Sequence, residues 1–526
     1  MNLPLKINVD LPKFQETLEK MTVISYEMLG KESSRLLRQQ KELLRGALDV
    51  PDLFDKNRTD KQETYNFKEV EESIREIDNE VHKLETMETV IAVVGTMKAG
   101  KSTTINAIVG KEILPNRNDP MTTLPTLIRN KHGQLEPLLT LNKISPLTLL
   151  TEEISEKLTL IKNRGELTET NPSMYGTNDG KELIQMLMDN QSYDFQDSYQ
   201  GQEDIFRLLK HLNDVMRLAK ELRLSVDNVY DSYQESKDLP LIEVEFCHLQ
   251  AMDKSANGNL SILDTPGPNE FGQRDALKTV FLHQLKRATA VMLVIDYTQM
   301  KSEAEEDVRE QIDSIRKQLD KERLSILVNK FDQANANSMQ KDEVQVYVSN
   351  TLMNDPTLKT RVFPISAWEA YLANRTLNHL ETEKTMPSIV EGEQSWVTDF
   401  GKTALGKRWQ KRIGDIEEVT ESAKELWKDC FFQEPLDNVI KDSHANAAKF
   451  CVTAAVAKLD CIQELFGNTV NIRHKTLDKE IQQIQLAITA LMENIRNLEA
   501  LNEDVKQEVN TGIERFRVEI KKHIRQ

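Results

Sequence analysis

Residues 93–104, with the sequence VVGTMKAGKSTT, decide the predicted fold of this chain. The segment from Gly95 to Ser102 fits the pattern G-x-x-x-x-G-K-[ST], in which glycines let backbone N–H groups turn toward phosphate oxygens. The apolar, β-branched run before this loop is typical of a strand buried on both faces, and TTINAIVG after it is typical of a helix. A strand, a phosphate-binding loop and a helix N-terminus together predict an α/β nucleotide-binding domain.

The rest of this predicted domain alternates between strands and helices. Further apolar runs of strand length occupy residues 241–249, 260–267, 290–297, 324–330 and 361–367. Stretches with helical periodicity, such as 302–320 and 338–353, lie between the later runs. This alternation predicts an α/β P-loop domain with a mostly parallel sheet and helices on both faces, interrupted by a helical insertion at about 144–236.

Long helices are predicted on both sides of this domain. Apolar residues recur at helical spacing over 13–47 and 66–87, and residues 477–516 carry apolar positions at alternating steps of four and three. That spacing is typical of a coiled coil or a long bundle helix, and a helical stripe continues to the last residues, so we expect a truncated chain. We predict three domains: N-terminal helices packing with the bundle over 1–87, a nucleotide-binding domain over 88–375, and an elongated all-α bundle or stalk over 376–526.

The composition limits the classes of function. Lys and Arg number 68 against 85 Asp and Glu, which gives a net charge of −17 at pH 7. Such a charge repels DNA phosphates and anionic membrane surfaces, so contact with either must be local or made through another protein. We therefore expect no direct DNA binding, and a membrane role is disfavoured. The four cysteines show no metal-binding spacing, which favours reduced thiols in a cytoplasmic protein.

Two residues of the phosphate-binding loop have predicted chemical roles. Lys101 is expected to reach the β- and γ-phosphates, and the Ser102 hydroxyl is expected to bind Mg²⁺. The remaining nucleotide contacts are expected from Gly95, Thr96, Met97, Lys98, Ala99, Gly100 and Thr103.

A second motif, LDTPG, follows the strand predicted at 260–267. It supplies D-x-x-G through Asp264 and Gly267. Asp264 is expected to hold Mg²⁺ through water, and the Gly267 N–H is expected to contact the γ-phosphate.

A third motif, VNKFD, supplies N-K-x-D through Asn329, Lys330 and Asp332 at the end of another strand. An aspartate accepts hydrogen bonds from guanine N1–H and from its exocyclic amine, whereas adenine has no donor at N1. The motif therefore predicts selection of GTP over ATP. The segment PISAW follows, and the backbone of Ser366 and Ala367 is expected to close over the base.

Residues 114–126, LPNRNDPMTTLPT, lie where a switch segment should supply a Mg²⁺-binding threonine, and Thr122 and Thr123 are both candidates. With AGKST, DTPGP and NKFD, this segment resembles the dynamin-like GTPases. The family's switch has the form T-x-x-P, which matches the residues from Thr122 to Pro125 and selects Thr122. The resemblance implies a large GTPase domain with a helical stalk, GTP and GDP as ligands, and Mg²⁺ as cofactor.

A narrower resemblance covers about 91–375. The stretches LPNRNDPMTTLPTLIRN, LDTPGPNE and DYTQMKS are similar to a bacterial branch of the family that binds the replication sliding clamp and colocalises sister replication forks. This implies a cytoplasmic GTPase, nucleoid-associated through its partners, that contacts the DNA polymerase clamp. Homodimers or higher oligomers are expected to form through the GTPase face and the stalk.

Lys98 departs from the family pattern. Dynamin-like enzymes lack the glutamine that orients water after D-x-x-G, and Pro268 occupies that position here. In the family, a serine two residues before the invariant glycine binds a monovalent cation that offsets transition-state charge, and Lys98 stands at this position. We hypothesise that the Lys98 ammonium replaces the cation and acts with Lys101, Ser102 and Thr122. The alternatives are a solvent-exposed lysine or one that pairs with a carboxylate across a dimer.

The segment DVPDLF after the first helix resembles a short clamp-binding motif, with Leu53 and Phe54 as the apolar anchors. The alternative is a helix end that is buried in its own bundle.

Two classes of function remain open at this stage. One is a GTPase whose hydrolysis drives assembly and release of a scaffold. The other is a nucleotide-gated scaffold or tether with little turnover. A membrane-remodelling dynamin is a third, less favoured alternative because of the net charge.

Overall fold

The computed structural model describes residues 11–50, 53–54, 65–95, 98–115, 124–163, 178–190, 192–233, 236–249, 259–265, 288–300, 323–335, 337–387, 395–474 and 481–524. The chain divides into two compact units. The helical unit comprises Met1–Thr89, Asp253–Asn259 and Ser443–Gln526, and the nucleotide-binding unit comprises Val90–Met252 and Leu260–Asp442.

The nucleotide-binding unit is built on a sheet that has nine strands among the described residues. The strands are β1 (Glu88–Gly95), β2 (Thr126–Asn130), β3 (Leu138–Thr140), β4 (Ser198–Gln200), β5 (Leu241–Val244), β6 (Asn259–Asp264), β7 (Ala290–Asp296), β8 (Leu324–Asn329) and β9 (Val362–Pro364). Their order in the sheet is β4-β3-β5-β2-β6-β1-β7-β8-β9. Every residue of β1 and β8 is buried, as the apolar runs predict for strands with both faces covered.

The two halves of the sheet differ in strand direction. The pairs β1–β7, β7–β8 and β8–β9 are parallel, and so is β2–β5. The pairs β2–β6, β3–β4 and β3–β5 are antiparallel. The predicted α/β fold class with a mostly parallel sheet is confirmed. The strands β2, β3 and β4 were not predicted, because none of them contains a long apolar run.

The described helices are, in chain order, α1 (Leu11–Leu48), α2 (Phe67–Thr86), α3 (Lys101–Val109), α4 (Ser145–Asn163), α5 (Asn178–Asn190), α6 (Gln202–Glu221), α7 (Asp227–Ser232), α8 (Lys341–Tyr347), α9 (Ala367–Glu383), α10 (Ser395–Phe400), α11 (Trp409–Arg412), α12 (Ile416–Asp429), α13 (Gln433–Pro435), α14 (Asp442–Ala445), α15 (Ala447–His474) and α16 (Ile481–Ile524). Helices α4 to α7 form the predicted insertion, and β4 lies between α5 and α6. The insertion therefore contributes an edge strand to the sheet as well as helices.

The nucleotide-binding unit extends further along the chain than the predicted boundary at residue 375. Helix α9 packs against both α3 and α12. Leu380, Trp396, Val397 and Phe400 are buried in the same apolar core as the sheet. The compact unit ends at Asp442. The residues that follow position 375 form helices, so the strand pattern ends there, but these helices share the apolar core of the nucleotide-binding unit.

The helical unit is a bundle in which α1 contacts α2, α15 and α16, and α15 also contacts α2 and α16. On α16, Leu491, Ile495 and Leu498 are buried, and these are positions of the predicted heptad seam. The seam packs against helices of the same chain, which corresponds to the bundle-helix alternative. Among the described helices, none combines the length and the apolar composition that crossing a bilayer requires.

Leu53 and Phe54 lie in the core of the helical unit. Their exposed fractions are 3% and 6%, and the Phe54 ring centroid is 6.4 Å from that of Phe466. Side chains that fill their own core are not available as anchors for a partner's pocket. This placement matches the alternative of a helix end buried in its own bundle and corrects the expectation of an exposed clamp-binding pair.

Candidate nucleotide-binding site

The phosphate-binding loop joins the end of β1 to the start of α3, as the sequence predicts. Gly100 has φ +94°, and a Cβ atom added there would lie 2.2 Å from Asn329 Nδ2, so only glycine fits. The Lys101 side chain is buried, and its Nζ donates to the Gly95 carbonyl at a distance of 3.2 Å. The ammonium therefore turns back across the loop toward its first glycine.

Asn329 connects three loops at the carboxyl ends of the parallel strands. Its Nδ2 donates to the Ala99 carbonyl at 2.8 Å, and its Oδ1 accepts from the Ala367 N–H at 2.9 Å. The side chain is 3% exposed. One buried amide thus holds the phosphate-binding loop against the loop that contains Ser366 and Ala367. The structure brings together three motifs that lie far apart in the sequence.

Lys330 and Asp332 extend from the same strand end. Lys330 has φ +64°, and its Nζ donates to Asp296 Oδ2 at 2.5 Å. Asp296 is buried and also accepts from the backbone N–H and the hydroxyl of Thr298. Asp332 is exposed, so its carboxylate is accessible to a purine edge. Asp296 was not predicted as a site residue, because its position beside Lys330 depends on the register of β7 against β8.

Glu369 is a second residue that the sequence interpretation missed. Ser366 caps the N-terminus of α9, and its Oγ accepts from the Glu369 N–H at 3.3 Å. Burial raises the pKa of Glu369 to about 7, and the nearby negative charge of Asp332 contributes to this shift. The spacing Ser-x-x-Glu before an apolar helix was the signal that could have found it.

The residues predicted to bind Mg²⁺ have suitable chemistry. Asp264 is 2% exposed at the carboxyl end of β6, which is adjacent to β1 in the sheet. The next residue, Thr265, donates its hydroxyl to the Val93 carbonyl at 2.9 Å, which ties the two strand ends together. Ser102 lies in the first turn of α3. A carboxylate and a hydroxyl are hard oxygen donors of the kind that Mg²⁺ prefers. Thr96, Met97, Thr122, Thr123 and Gly267 lie outside the described residues.

Lys98 is exposed and has φ +65°. A residue with a Cβ atom pays about 1 kcal/mol or more in this left-handed region, and such strain is concentrated at functional sites. Glycine would relieve the strain, yet the loop carries a lysine.

Comparisons with known proteins agree with this geometry. The model of the Dynamin family matches residues 91–332. Two relatives, both named Clamp-binding protein CrfC, come from Escherichia coli and from Escherichia coli strain K12. Each is 38% identical over 441 residues, which covers 83% of this chain and 57% of the relative.

Two solved chains of an oligomerised bacterial dynamin pair, described as a mechanism for long-range sensing and tethering of membranes, are also similar. They show 15% and 16% identity, with TM-scores of 0.32 and 0.31. The aligned regions cover 91% and 95% of this chain and 53% of each of the two solved chains.

The chain spans 57% of the length of the curated relatives that it matches. The matched family segment contains the phosphate-binding loop, Asp264 and the motif from Asn329 to Asp332. Residues 91–332, most of which lie in the nucleotide-binding unit, therefore belong to a domain of the Dynamin family.

Proposed function

We propose that this chain binds GTP with Mg²⁺, hydrolyses it to GDP and phosphate, and self-associates to link replication clamps. The observation that carries the nucleotide assignment is the position of Asn329. Its amide holds the phosphate-binding loop and the Ser366–Ala367 loop beside Asp332, so one site can contact both the phosphates and the base.

Base recognition follows from the two loops that Asn329 connects. Asp332 would accept from guanine N1–H and from the exocyclic amine. The Ser366–Ala367 loop, whose N–H groups donate to the Cys430 carbonyl and to Asn329 Oδ1, would border the base. The ion pair with Asp296 fixes the ammonium end of the Lys330 side chain, whose methylene groups would cover a purine face. Adenine leaves the Asp332 carboxylate without donors, which is a large penalty for a charged group.

Phosphate recognition combines the loop backbone, Lys101 and the N-terminus of α3. Ser102 and Asp264 would hold Mg²⁺, together with Thr122 on the family pattern. The metal supplies charge stabilisation for the β- and γ-phosphate oxygens. Lys101 neutralises the same oxygens from the opposite side of the loop. The Gly267 N–H completes the cradle on the D-x-x-G pattern.

Lys98 is proposed as an additional catalytic cation. Its backbone is in the left-handed region and its side chain is exposed. A lysine is a point charge without the fork of an arginine, so we expect a smaller acceleration than the roughly 10³-fold effect of an arginine finger. A Lys98→Ser variant is expected to hydrolyse GTP slowly in Na⁺ and to recover in K⁺. Equal turnover by the variant and the parent in both salts would contradict this role.

The proposed partner follows from the name of the two relatives. A clamp-binding relative supports the DNA polymerase sliding clamp as the partner of this chain. We propose a cytoplasmic, nucleoid-associated location on the same basis. Homodimerisation through the GTPase face would complete the catalytic site, because the described residues show no arginine beside the phosphate-binding loop.

A nucleotide-gated scaffold with little turnover is the second candidate. It is favoured by Pro268, which occupies the position of the water-orienting glutamine. GTP would then set the conformation of the chain, and hydrolysis would be incidental.

GTP turnover measured against protein concentration, with and without purified clamp, separates the two candidates. An enzyme that assembles is expected to show a turnover per molecule that rises with concentration and changes when clamp is added. Tight nucleotide binding with negligible turnover at every concentration would support the scaffold. Failure to bind GTP would reject both candidates.

A further inference from the structure

A cluster of positive charge stands out against the acidic chain. Residues 400–414, FGKTALGKRWQKRIG, contain five lysines and arginines and no acidic residue, whereas the whole chain has a net charge of −17. Asp399 and Asp415 flank the stretch. We call residues Gly401–Arg412 the basic corner. It lies within the nucleotide-binding unit and outside the matched family segment.

The backbone of the basic corner is folded tightly over one aromatic ring. Gly401–Leu405, Gly406–Arg408 and Trp409–Arg412 form three short, consecutive helical segments. Trp409 is buried, and a Cβ atom on Gly401 would lie 2.3 Å from its Cε3 atom. The buried ring therefore fixes the backbone that carries the charges.

The charged side chains lie on the outside of this fold. Lys402, Lys407, Arg408 and Lys411 are all exposed, and within the described part of the chain no ion pair involves them. Arg412 differs, because it donates to the Leu405 carbonyl at 2.6 Å and to the Glu418 carboxylate. Four cations are thus exposed to solvent, while Arg412 bonds to neighbouring residues within the unit.

The neighbouring side chains favour phosphates over lipid. Thr403 and Gln410 are exposed among the cations and add a hydroxyl and an amide donor. Lys, Arg, Thr and Gln are residue types that donate to DNA phosphates. Among described residues 395–414, no large apolar side chain is exposed, so the corner lacks an element that inserts into a bilayer.

We propose that the basic corner binds the phosphodiester backbone of duplex DNA without sequence preference. The acidic remainder of the chain repels DNA, so contact is confined to this corner, as the charge balance requires for any direct DNA contact. Four phosphate contacts predict weak binding. The affinity should fall with salt at a logarithmic slope of about −0.9 per contact, on the order of 10²-fold between 50 and 200 mM.

The test uses the full chain and a fluorescently labelled duplex, with binding followed by anisotropy at both salt concentrations. The test variant reverses the charge of Lys402, Lys407, Arg408 and Lys411 to glutamate. The control variant makes the same change at four exposed lysines of the same unit, Lys157, Lys162, Lys181 and Lys359. Both variants lower the net charge equally, so a difference in DNA affinity between them shows that the position of the charges matters.

The corner variant is expected to lose binding by at least about tenfold, and the control variant is expected to bind more tightly than it. Equal losses in the two variants would overturn the proposal, because only total charge would matter. Absence of duplex binding by the parent chain would also overturn it. So would corner-dependent binding to anionic phosphatidylserine vesicles but not to duplex, or a corner-dependent change in oligomeric state without DNA binding.

Two control measurements detect misfolded variants. GTP affinity and the thermal unfolding midpoint show whether the variants fold, and a variant with glutamine at the four corner positions replaces the glutamate variant if it does not. The assay contains no clamp and measures no hydrolysis. A negative result in this assay therefore does not contradict the proposed GTPase function. Likewise, a chain that does not hydrolyse GTP would not contradict DNA binding by the basic corner.

Discussion

The carboxyl edge of the sheet and the helical bundle are stabilised by different interactions. At the sheet edge, Asn329, Lys330 and Asp296 join loops through a few directional hydrogen bonds and one ion pair. In the bundle, the core consists of apolar side chains such as Leu37 and Phe54, which bury area without directional demands. Changes at the sheet edge should therefore alter nucleotide binding before stability, and changes in the bundle should do the reverse.

The largest expected effect is a loss of the preference for guanine at the site beside the carboxyl edge of the sheet. Asp332→Asn replaces a double acceptor with an amide that cannot accept from both guanine N–H groups, so GTP affinity should fall on the order of 10⁴-fold. Xanthosine triphosphate, which has a carbonyl at position 2, should bind better than GTP. Titrations with fluorescent nucleotides measure both affinities.

Asp342→Asn is the matched control, because Asp342 is an exposed aspartate on α8. It should leave the preference for GTP unchanged. An Asp332→Asn protein that still prefers GTP would show that guanine is recognised by other groups.

The second prediction concerns the bundle. Phe54→Ala removes a buried ring beside Phe466 and should lower the free energy of unfolding of the helical unit by about 3–5 kcal/mol. GTP affinity should be little changed, because the bonds that hold the nucleotide loops do not involve this core. Leu501→Ala on the exposed side of α16 is the control and should have a small effect. Chemical denaturation followed by circular dichroism measures stability, and a retained midpoint in Phe54→Ala would contradict the packing.

The third prediction tests the bridge between loops. Asn329→Ala removes two buried hydrogen bonds and leaves the Ala99 carbonyl and the Ala367 N–H without this partner. We expect a loss of about 2–3 kcal/mol in GTP binding, which is roughly 10²-fold. Asn228→Ala on α7, where the side chain is exposed, is the matched control. Isothermal titration measures the affinity, and equal affinities for the two variants would contradict the bridging role.

Sequence patterns predicted the parts of the molecule in which local composition is sufficient. The buried strands β1 and β8 and the loop motifs that follow them could be found because apolar runs and glycine spacing are local signals. The partnership of Lys330 with Asp296 could not be found, because it depends on the register of β7 against β8. The end of the nucleotide-binding unit at Asp442 was missed for a related reason. A helical period shows that a helix is amphipathic but does not show which core its apolar face joins.

The smallest predicted effect is a pH dependence that arises beside the base site. Burial raises the pKa of Glu369 to about 7, so the folded chain keeps a proton on this carboxyl that the unfolded chain has already released. A raised carboxyl pKa stabilises the fold below the unfolded pKa of 4.5 and loses that contribution as the pH rises to about 7. The charged groups that favour the neutral form are Asp332 and Asp429.

Glu369→Gln should therefore weaken the decline in thermal midpoint between pH 5 and pH 8, because the amide carries no titrating proton. The difference from the parent should be largest at pH 8. Glu381→Gln, an exposed change on the same helix, should reproduce the parent's pH profile. Differential scanning fluorimetry across this range measures all three proteins. Parallel profiles for the parent and Glu369→Gln would show that Glu369 is already ionised at the sheet edge at pH 5.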